Sequence, residues 1–151
     1  MTVHQAKDLD NTKSLSGDLN PIVKMFLDGK SAPGYRSNTV KRTNNPVWEW
    51  AKEFVCADKS SSIVTLKVID DREFLKDPVI GYLSVRLTDL LEAKKVAGRD
   101  WWPLDGCKSG RLRLSVEWKP LAIAGSLSGA DQYRPPIGVI RLWIQQATDV
   151  K

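Results

Sequence analysis

Val64-Thr-Leu-Lys-Val-Ile-Asp-Asp-Arg-Glu-Phe-Leu-Lys-Asp-Pro-Val-Ile-Gly81 is the stretch on which the reading of this chain turns. Val64, Leu66 and Val68 alternate with Thr65 and Lys67, the period of a strand with one apolar and one wet face. The run ends in paired acids, Asp70 and Asp71. It then crosses a charged loop with Phe74 and Leu75 at its middle and re-enters an apolar run at Gly81. Oxygen ligands, cations and an aromatic ring on one loop tip suit a surface that touches something charged and greasy. The loop either chelates calcium or presses on a lipid surface without it, and the residue identities favour the second.

Working outward, Leu112-Arg-Leu-Ser-Val-Glu-Trp118 alternates in the same way. Short apolar runs punctuated by Gly, Pro, Asn or Asp predict strands near Thr2–Gln5, Pro21–Leu27, Tyr35–Lys41, Glu49–Val55, Ile63–Ile69, Ile80–Arg86, Asp100–Pro103 and Arg111–Trp118. Turn signals every ten residues or so predict an all-β antiparallel sandwich. One short helix is expected between late strands, with Thr88 as N-cap, Asp89 at its positive end and Leu90–Lys95 as good formers that stop before Gly98.

At 151 residues, 42% hydrophobic and 27% charged, the chain holds one sizeable core and a remainder. A formal charge of +5 is compatible with an anionic partner, lipid or nucleic acid, and equally with a plain soluble surface. Cys56 and Cys107 are too few for a disulfide framework and read as free thiols of a reducing compartment. The sequence has no apolar run of membrane-spanning length, and Met1 is followed by polar residues that do not form a signal peptide. His4 is the single histidine and falls on a predicted strand, so neither Ser-His-Asp catalysis nor a zinc site is expected, and the chain does not read as an enzyme. Basic residues do not interleave with aromatics along a face, which argues against nucleic acid.

Residues 1–120 read as the domain, 121–137 as a linker closing on Pro135-Pro136, and 138–151 as a strand. That last strand repeats the first. Met1–Asp10 lies over Leu142–Lys151 without gaps, with identities at Gln5/Gln146, Ala6/Ala147 and Asp8/Asp149 and apolar coincidences at Met1/Leu142, Val3/Ile144 and Leu9/Val150. The match is either chance or the mark of a tandem array, and the array is the better explanation: the first domain lacks the start of its opening strand, and residues 138–151 open the next. A strand with unpaired backbone groups needs a sheet edge. It finds one either in cis or in trans, the latter as a strand-exchanged dimer.

Asn45-Pro-Val-Trp-Glu-Trp50, the loop Asp70–Gly81, Trp102-Pro-Leu104 and Gly110–Trp118 together resemble the C2 domain, over residues 1 to about 120. The resemblance implies an eight-stranded antiparallel β-sandwich whose loops at one end bind membranes, often through calcium. Opening on the strand before the first binding loop and closing with Gly110–Trp118 is similar to the type II permutation of that fold. Ala6–Gly17 and Ile140–Lys151 carry a narrower likeness to the tricalbins, fungal relatives of the extended synaptotagmins.

Calcium takes six to eight oxygens, and in the family about five come from acidic side chains of the first and third loops. The resemblance sets Ser14 and Asn20 on the first-loop positions and Asp70, Arg72 and Pro78 on the third-loop ones, so a single acid survives. Asp71 and Asp77 are each a residue out of register, and Asp18 lies near the first loop. Arg72 puts a fixed positive charge among the would-be ligands. At an effective dielectric of about 20, that repulsion at about 4 Å costs on the order of 4 kcal/mol per unit charge. No metal is therefore expected. Asp70 reads as a leftover ligand, paired with Arg72, or as a turn residue capping its strand.

The same alignment implies lipid-inserting tips at Leu15 and Phe74, with Leu75 beside them and Lys13, Arg72 and Lys76 around them. The alternative for Phe74 is a loop residue folded back on the sandwich. A second candidate is a basic patch for lipid head groups: Lys24 and Arg36 on positions where related domains gather lysines, with Lys41 and Arg42 nearby. Ile22 and Asn38 depart from that pattern, and the alternative is a solvated strand surface. The function these features imply is peripheral docking on anionic phospholipid, largely independent of calcium. The host would be a tethering, lipid-transfer protein at endoplasmic reticulum–plasma membrane contacts, acting with neighbouring C2 domains on the cytosolic face. The competing function is a spacer or protein-interaction module that has lost lipid binding.

Overall fold

Val64, Leu66 and Val68 are fully buried, while Thr65 and Lys67 on the other face stay half-exposed, so residues 63–70 can only lie as a strand over a core. The computed structural model describes residues 1–30, 35–72 and 76–121. In chain order its elements are β1 (Thr2–Lys7), β2 (Pro21–Leu27), β3 (Val47–Ala51), β4 (Ile63–Asp70), β5 (Val79–Arg86), α1 (Leu87–Ala93), β6 (Trp101–Pro103) and β7 (Arg111–Ser115). They form two antiparallel sheets, β3-β1-β7-β6 and β2-β4-β5. The core lies between them: Val3 and Ala6 of β1, Val23 and Met25 of β2, Trp48 of β3, Val64, Leu66 and Val68 of β4, Leu83 of β5, Leu112 and Leu114 of β7. Each such side chain contributes roughly 1.5–3 kcal/mol on burial, which makes this layer the main stabilising term. The indole of Trp48 donates to the Pro21 carbonyl at 3.1 Å and so links the two sheets directly.

The sandwich and, among the described residues, its one short helix agree with the sequence reading, and several boundaries move for identifiable reasons. The expected strand Tyr35–Lys41 is not a regular strand. Residues 35–40 run along β2 as an edge, with a bridge at Lys24–Arg36 and bonds from Met25 N–H to Tyr35 O (2.8 Å) and from Ser37 N–H to Val23 O (2.9 Å). There the Ser37 hydroxyl accepts the Val23 N–H at 2.9 Å, and a side chain takes over what a ladder carbonyl would do. β3 covers Val47–Ala51 and not Glu49–Val55, and β7 stops at Ser115 and not Trp118. Both end where their partner does, since Thr2 of β1 pairs with Ala51 on one side and Ser115 on the other. Thr88 is not the helix cap. Arg86 holds that position in an extended conformation while still paired with Ile63, and α1 starts directly off the strand because Leu87 is drawn into the core.

β1 and β7 are neighbours in the middle of their sheet. Their register, Lys7 opposite Arg111 and Thr2 opposite Ser115, sends both ends of residues 1–118 to the pole opposite the connections 8–20 and 71–78. Met1–Trp118 form one compact unit and Lys119–Lys151 a second. Beyond Leu121, the expected linker and the strand 138–151 lie outside the described residues.

Gly81 sits where β5 passes under the 104–107 turn. A Cβ there would lie 2.8 Å from Cys107 Sγ, 3.2 Å from Leu104 Cβ and 3.3 Å from Asp105 O. Gly81→Ala should destabilise the domain by about 1–3 kcal/mol in urea titration, the usual cost of overpacking. Cys107→Ala in the same chain should restore part of that loss; an unchanged midpoint in the single variant would show the approach to be looser than described.

Candidate functional site

Three connections gather at the loop pole: 8–20 after β1, 37–46 before β3 and 71–78 after β4. Backbone bonds lock them together, from Leu9 N–H to Asn44 O, Thr43 N–H to Leu19 O and Asp71 N–H to Asn20 O, at 2.9–3.0 Å. At their centre is Asp70, whose side chain is 4% exposed. Its Oδ1 accepts the Asn20 N–H at 2.8 Å and its Oδ2 accepts Arg72 Nε at 3.0 Å. The other arm of the guanidinium, Nη2, donates to the Lys13 carbonyl at 3.1 Å. Arg72 thus fastens the third loop to the first, and its own N–H donates to Asp77 Oδ1 at 2.9 Å.

The remaining degenerate calcium positions are engaged within the protein. Ser14 Oγ donates to Asp18 O at 2.9 Å, Asn20 Oδ1 accepts the Arg42 N–H at 3.0 Å, and the Pro78 carbonyl accepts the Asp70 N–H at 3.0 Å. Among the described residues no three His, Cys, Asp or Glu side chains gather as a metal-holding group.

Leu15 stands 92% exposed at the tip of the first loop, and Lys13 and Lys76 are exposed. Phe74 and Leu75 lie outside the described residues. Arg72, expected both inside the ligand set and as a cation flanking the tip, takes the inner position, with a side chain 22% exposed. In the expected basic patch Lys24 and Arg36 do lie directly opposite one another, while Lys41 and Arg42 are exposed on the connection beyond. Arg36 is spent in part, because its Nη2 meets Asp71 Oδ2 at 3.2 Å.

Three residues that sequence reading passed over belong to this end of the story. Lys67 faces Lys24 across β2–β4, and Tyr82 faces Lys67 across β4–β5, so Arg36, Lys24, Lys67 and Tyr82 form one cross-strand row. The alternation of β4 already puts Lys67 on the wet face; only the register shows what it faces. Asp10 is 8% exposed, accepts the Thr12 N–H and hydroxyl on Oδ1, and accepts the Lys108 N–H on Oδ2 at 3.0 Å. The Lys108 N–H and then the Thr12 hydroxyl hold its pKa down at about 2, against an ordinary 3.8. His4 Nδ1 lies 2.6 Å from Glu49 Oε2 and its Nε2 lies 2.8 Å from Ser115 Oγ, a tie across β3, β1 and β7 on the outer surface of the sheet. Both cysteines are free, and burial pushes the Cys107 thiol up, helped by the nearby Asp10 and Asp105 carboxylates.

A family model described as the C2 domain matches residues 1–104. The chain belongs to the C2 domain family. Among curated proteins this C2 domain is similar to tricalbin-3 of Saccharomyces cerevisiae, 33% identical over 97% of this chain and 9% of that protein. It is similar also to extended synaptotagmin-3 of Homo sapiens, 27% identical over 80% of this chain and 13% of that one. The chain thus spans a small part of these relatives, and the likeness read from residues 6–17 and 140–151 points the same way. Among solved structures, the calcium-bound pair of C2 domains from extended synaptotagmin 2 matches 74% of this chain and 41% of its own with a TM-score of 0.60 and 20% identity, a likeness of fold.

Two outcomes test this geometry. Arg72→Ala leaves a buried carboxylate without its cation and should lower stability by about 3 kcal/mol in urea titration, with Arg72→Lys recovering part of it. For Asp10 the folded pKa lies below the ordinary value. Its contribution is therefore complete above pH 3.8 and lost as the pH falls through about 2. Asp10→Asn should flatten the fall in urea midpoint between pH 4 and pH 2 (about two units around these values). Asp58 and Asp100, also held low by hydrogen bonds, leave some of the slope in place.

Proposed function

We propose that this C2 domain docks on anionic phospholipid membrane largely without calcium. It would serve as one module of a tethering and lipid-transfer protein on the cytosolic face of endoplasmic reticulum–plasma membrane contacts. The observation that supports this most is the Arg72 guanidinium spanning Asp70 and the Lys13 carbonyl. It provides, from within the chain, the positive link between first and third loops for which related domains use calcium. The pole is then assembled in advance, with Leu15, Phe74 and Leu75 proposed as the residues that insert and the exposed Lys13 and Lys76 as the cations that accompany them.

Burying Leu15 and Phe74 contributes roughly 3–5 kcal/mol and each nearby lysine about 1 kcal/mol. After the cost of ordering the loops this corresponds to reversible binding in about the micromolar-to-millimolar range. Neighbouring domains of the array would raise it through effective concentration. The reading of residues 138–151 as the start of a following C2 domain gains support from burial in β1 and the loop after it. Val3, Ala6 and Leu9, the positions that coincide with Ile144, Ala147 and Val150, are those the sandwich encloses.

Sedimentation with phosphatidylserine-containing vesicles tests the proposal. Binding should be equal in chelator and in calcium, fall as salt is raised, and weaken about tenfold, or about 1.4 kcal/mol, in Leu15→Asp or Phe74→Ala. A requirement for calcium would overturn it. No binding to anionic vesicles under any condition would leave the spacer reading in its place.

A further inference from the structure

We propose that Ser16, at the tip of the first loop, is a phosphorylation site through which a serine kinase releases the domain from anionic membrane. The proposal rests on the membrane reading above and deepens it by assigning the contact a means of control.

A kinase has to bring the acceptor hydroxyl into line with the γ-phosphate of its nucleotide, so the residues on either side must stand clear of the fold. Residues 15–18 are an unbroken exposed run, with Leu15 at 92%, and a Cβ added at Gly17 would meet nothing within 4 Å. Ser16 Oγ reaches Ser14 Oγ and the Asp18 carbonyl only at 3.5 Å, beyond the usual length of a hydroxyl hydrogen bond. Ser14, on the other side of Leu15, is half-buried and donates to the same carbonyl at 2.9 Å. Of the two serines that bracket the tip, Ser16 is the one with a hydroxyl to spare. Exposed Ser60 and Ser61 differ from it too, because both hydroxyls are spent on the Asp58 carboxylate at 2.6 and 2.9 Å. Lys13 is exposed three residues ahead of Ser16, a cation for the acidic substrate groove of a base-directed kinase.

The root of the loop is fixed while its tip is free. Arg72 Nη2 holds the Lys13 carbonyl, Asn11 Nδ2 donates to the Gly17 carbonyl at 3.0 Å, and Leu19 is buried. Modification at Ser16 therefore leaves the sandwich and the Asp70–Arg72 link intact. In the reaction Ser16 Oγ attacks the γ-phosphorus of magnesium ATP. The new O–P bond forms as the bond from that phosphorus to the bridging oxygen of ADP breaks, the hydroxyl proton passes to the catalytic aspartate of the kinase, and ADP leaves. The product carries a charge of about −1.5 to −2 at pH 7. Beside Leu15 that charge must shed water and approach anionic lipid when the tip docks, and both effects oppose docking.

Two measurements on the 151-residue chain test this. Mass spectrometry after treatment with magnesium ATP and a base-directed serine kinase should find phosphate on Ser16 ahead of Ser14, more slowly in Lys13→Ala and not at this position in Ser16→Ala. Sedimentation in chelator with phosphatidylserine vesicles should show the Ser16-phosphorylated chain binding about tenfold more weakly than the unmodified one. Phosphatase treatment should restore the affinity, and Ser16→Ala should bind as the unmodified chain does. No phosphate on Ser16, or a phosphate there that leaves vesicle affinity unchanged or raises it, would overturn the proposal while the membrane reading stands. An unmodified chain that ignores anionic vesicles would fell both.

Discussion

A carboxylate enclosed at the end of a strand has to be met by donors, and at Asp70 that demand organises the loop pole. An unpartnered charge with 4% exposure would be too costly to fold around. The chain answers with one N–H from the first loop and one guanidinium from two residues downstream. Because the same guanidinium also reaches the Lys13 carbonyl, satisfying Asp70 fixes the first and third loops relative to each other. A divalent ion supplies such a link only above some concentration. A tethered arginine supplies it at all times.

The division of labour among the cations follows from the same geometry. Counting basic residues along the sequence treats Arg36, Arg72 and the lysines alike, yet Arg72 is held by Asp70 through a directed bond and Arg36 forms an ion pair with Asp71. Lys13, Lys24 and Lys67 have no such partner among the described residues. At this pole Arg72 does the internal joinery, and Lys13, a flexible and strongly hydrated point charge, is left facing outward.

What the sequence disclosed depended on how local the determining force was. β2 and β4 are legible because alternation and flanking turn residues lie within the strand itself. The ends of β3 and β7 are not, since each is cut by the length of β1, whose Thr2 is 49 residues from Ala51 and 113 from Ser115. The irregular edge at residues 35–40 turns on a single hydroxyl, Ser37, replacing a carbonyl, and the helix start turns on Leu87 finding the core. Arg72 shows both sides. Its intrusion into a set of acids is plain from position alone, but its bond to Lys13 spans 59 residues and leaves no local mark. The row formed by Arg36, Lys24, Lys67 and Tyr82 is likewise a product of register.

The antiparallel pairing of β1 with β7 leaves both ends of residues 1–118 side by side at one pole while the loops occupy the other. Any polypeptide joined to the two ends of this unit would therefore share a common doorway. Excising the whole domain would rejoin the flanks across a gap about as wide as the spacing of two adjacent strands, so an array of such modules can gain or lose a member with little change in the path of the rest.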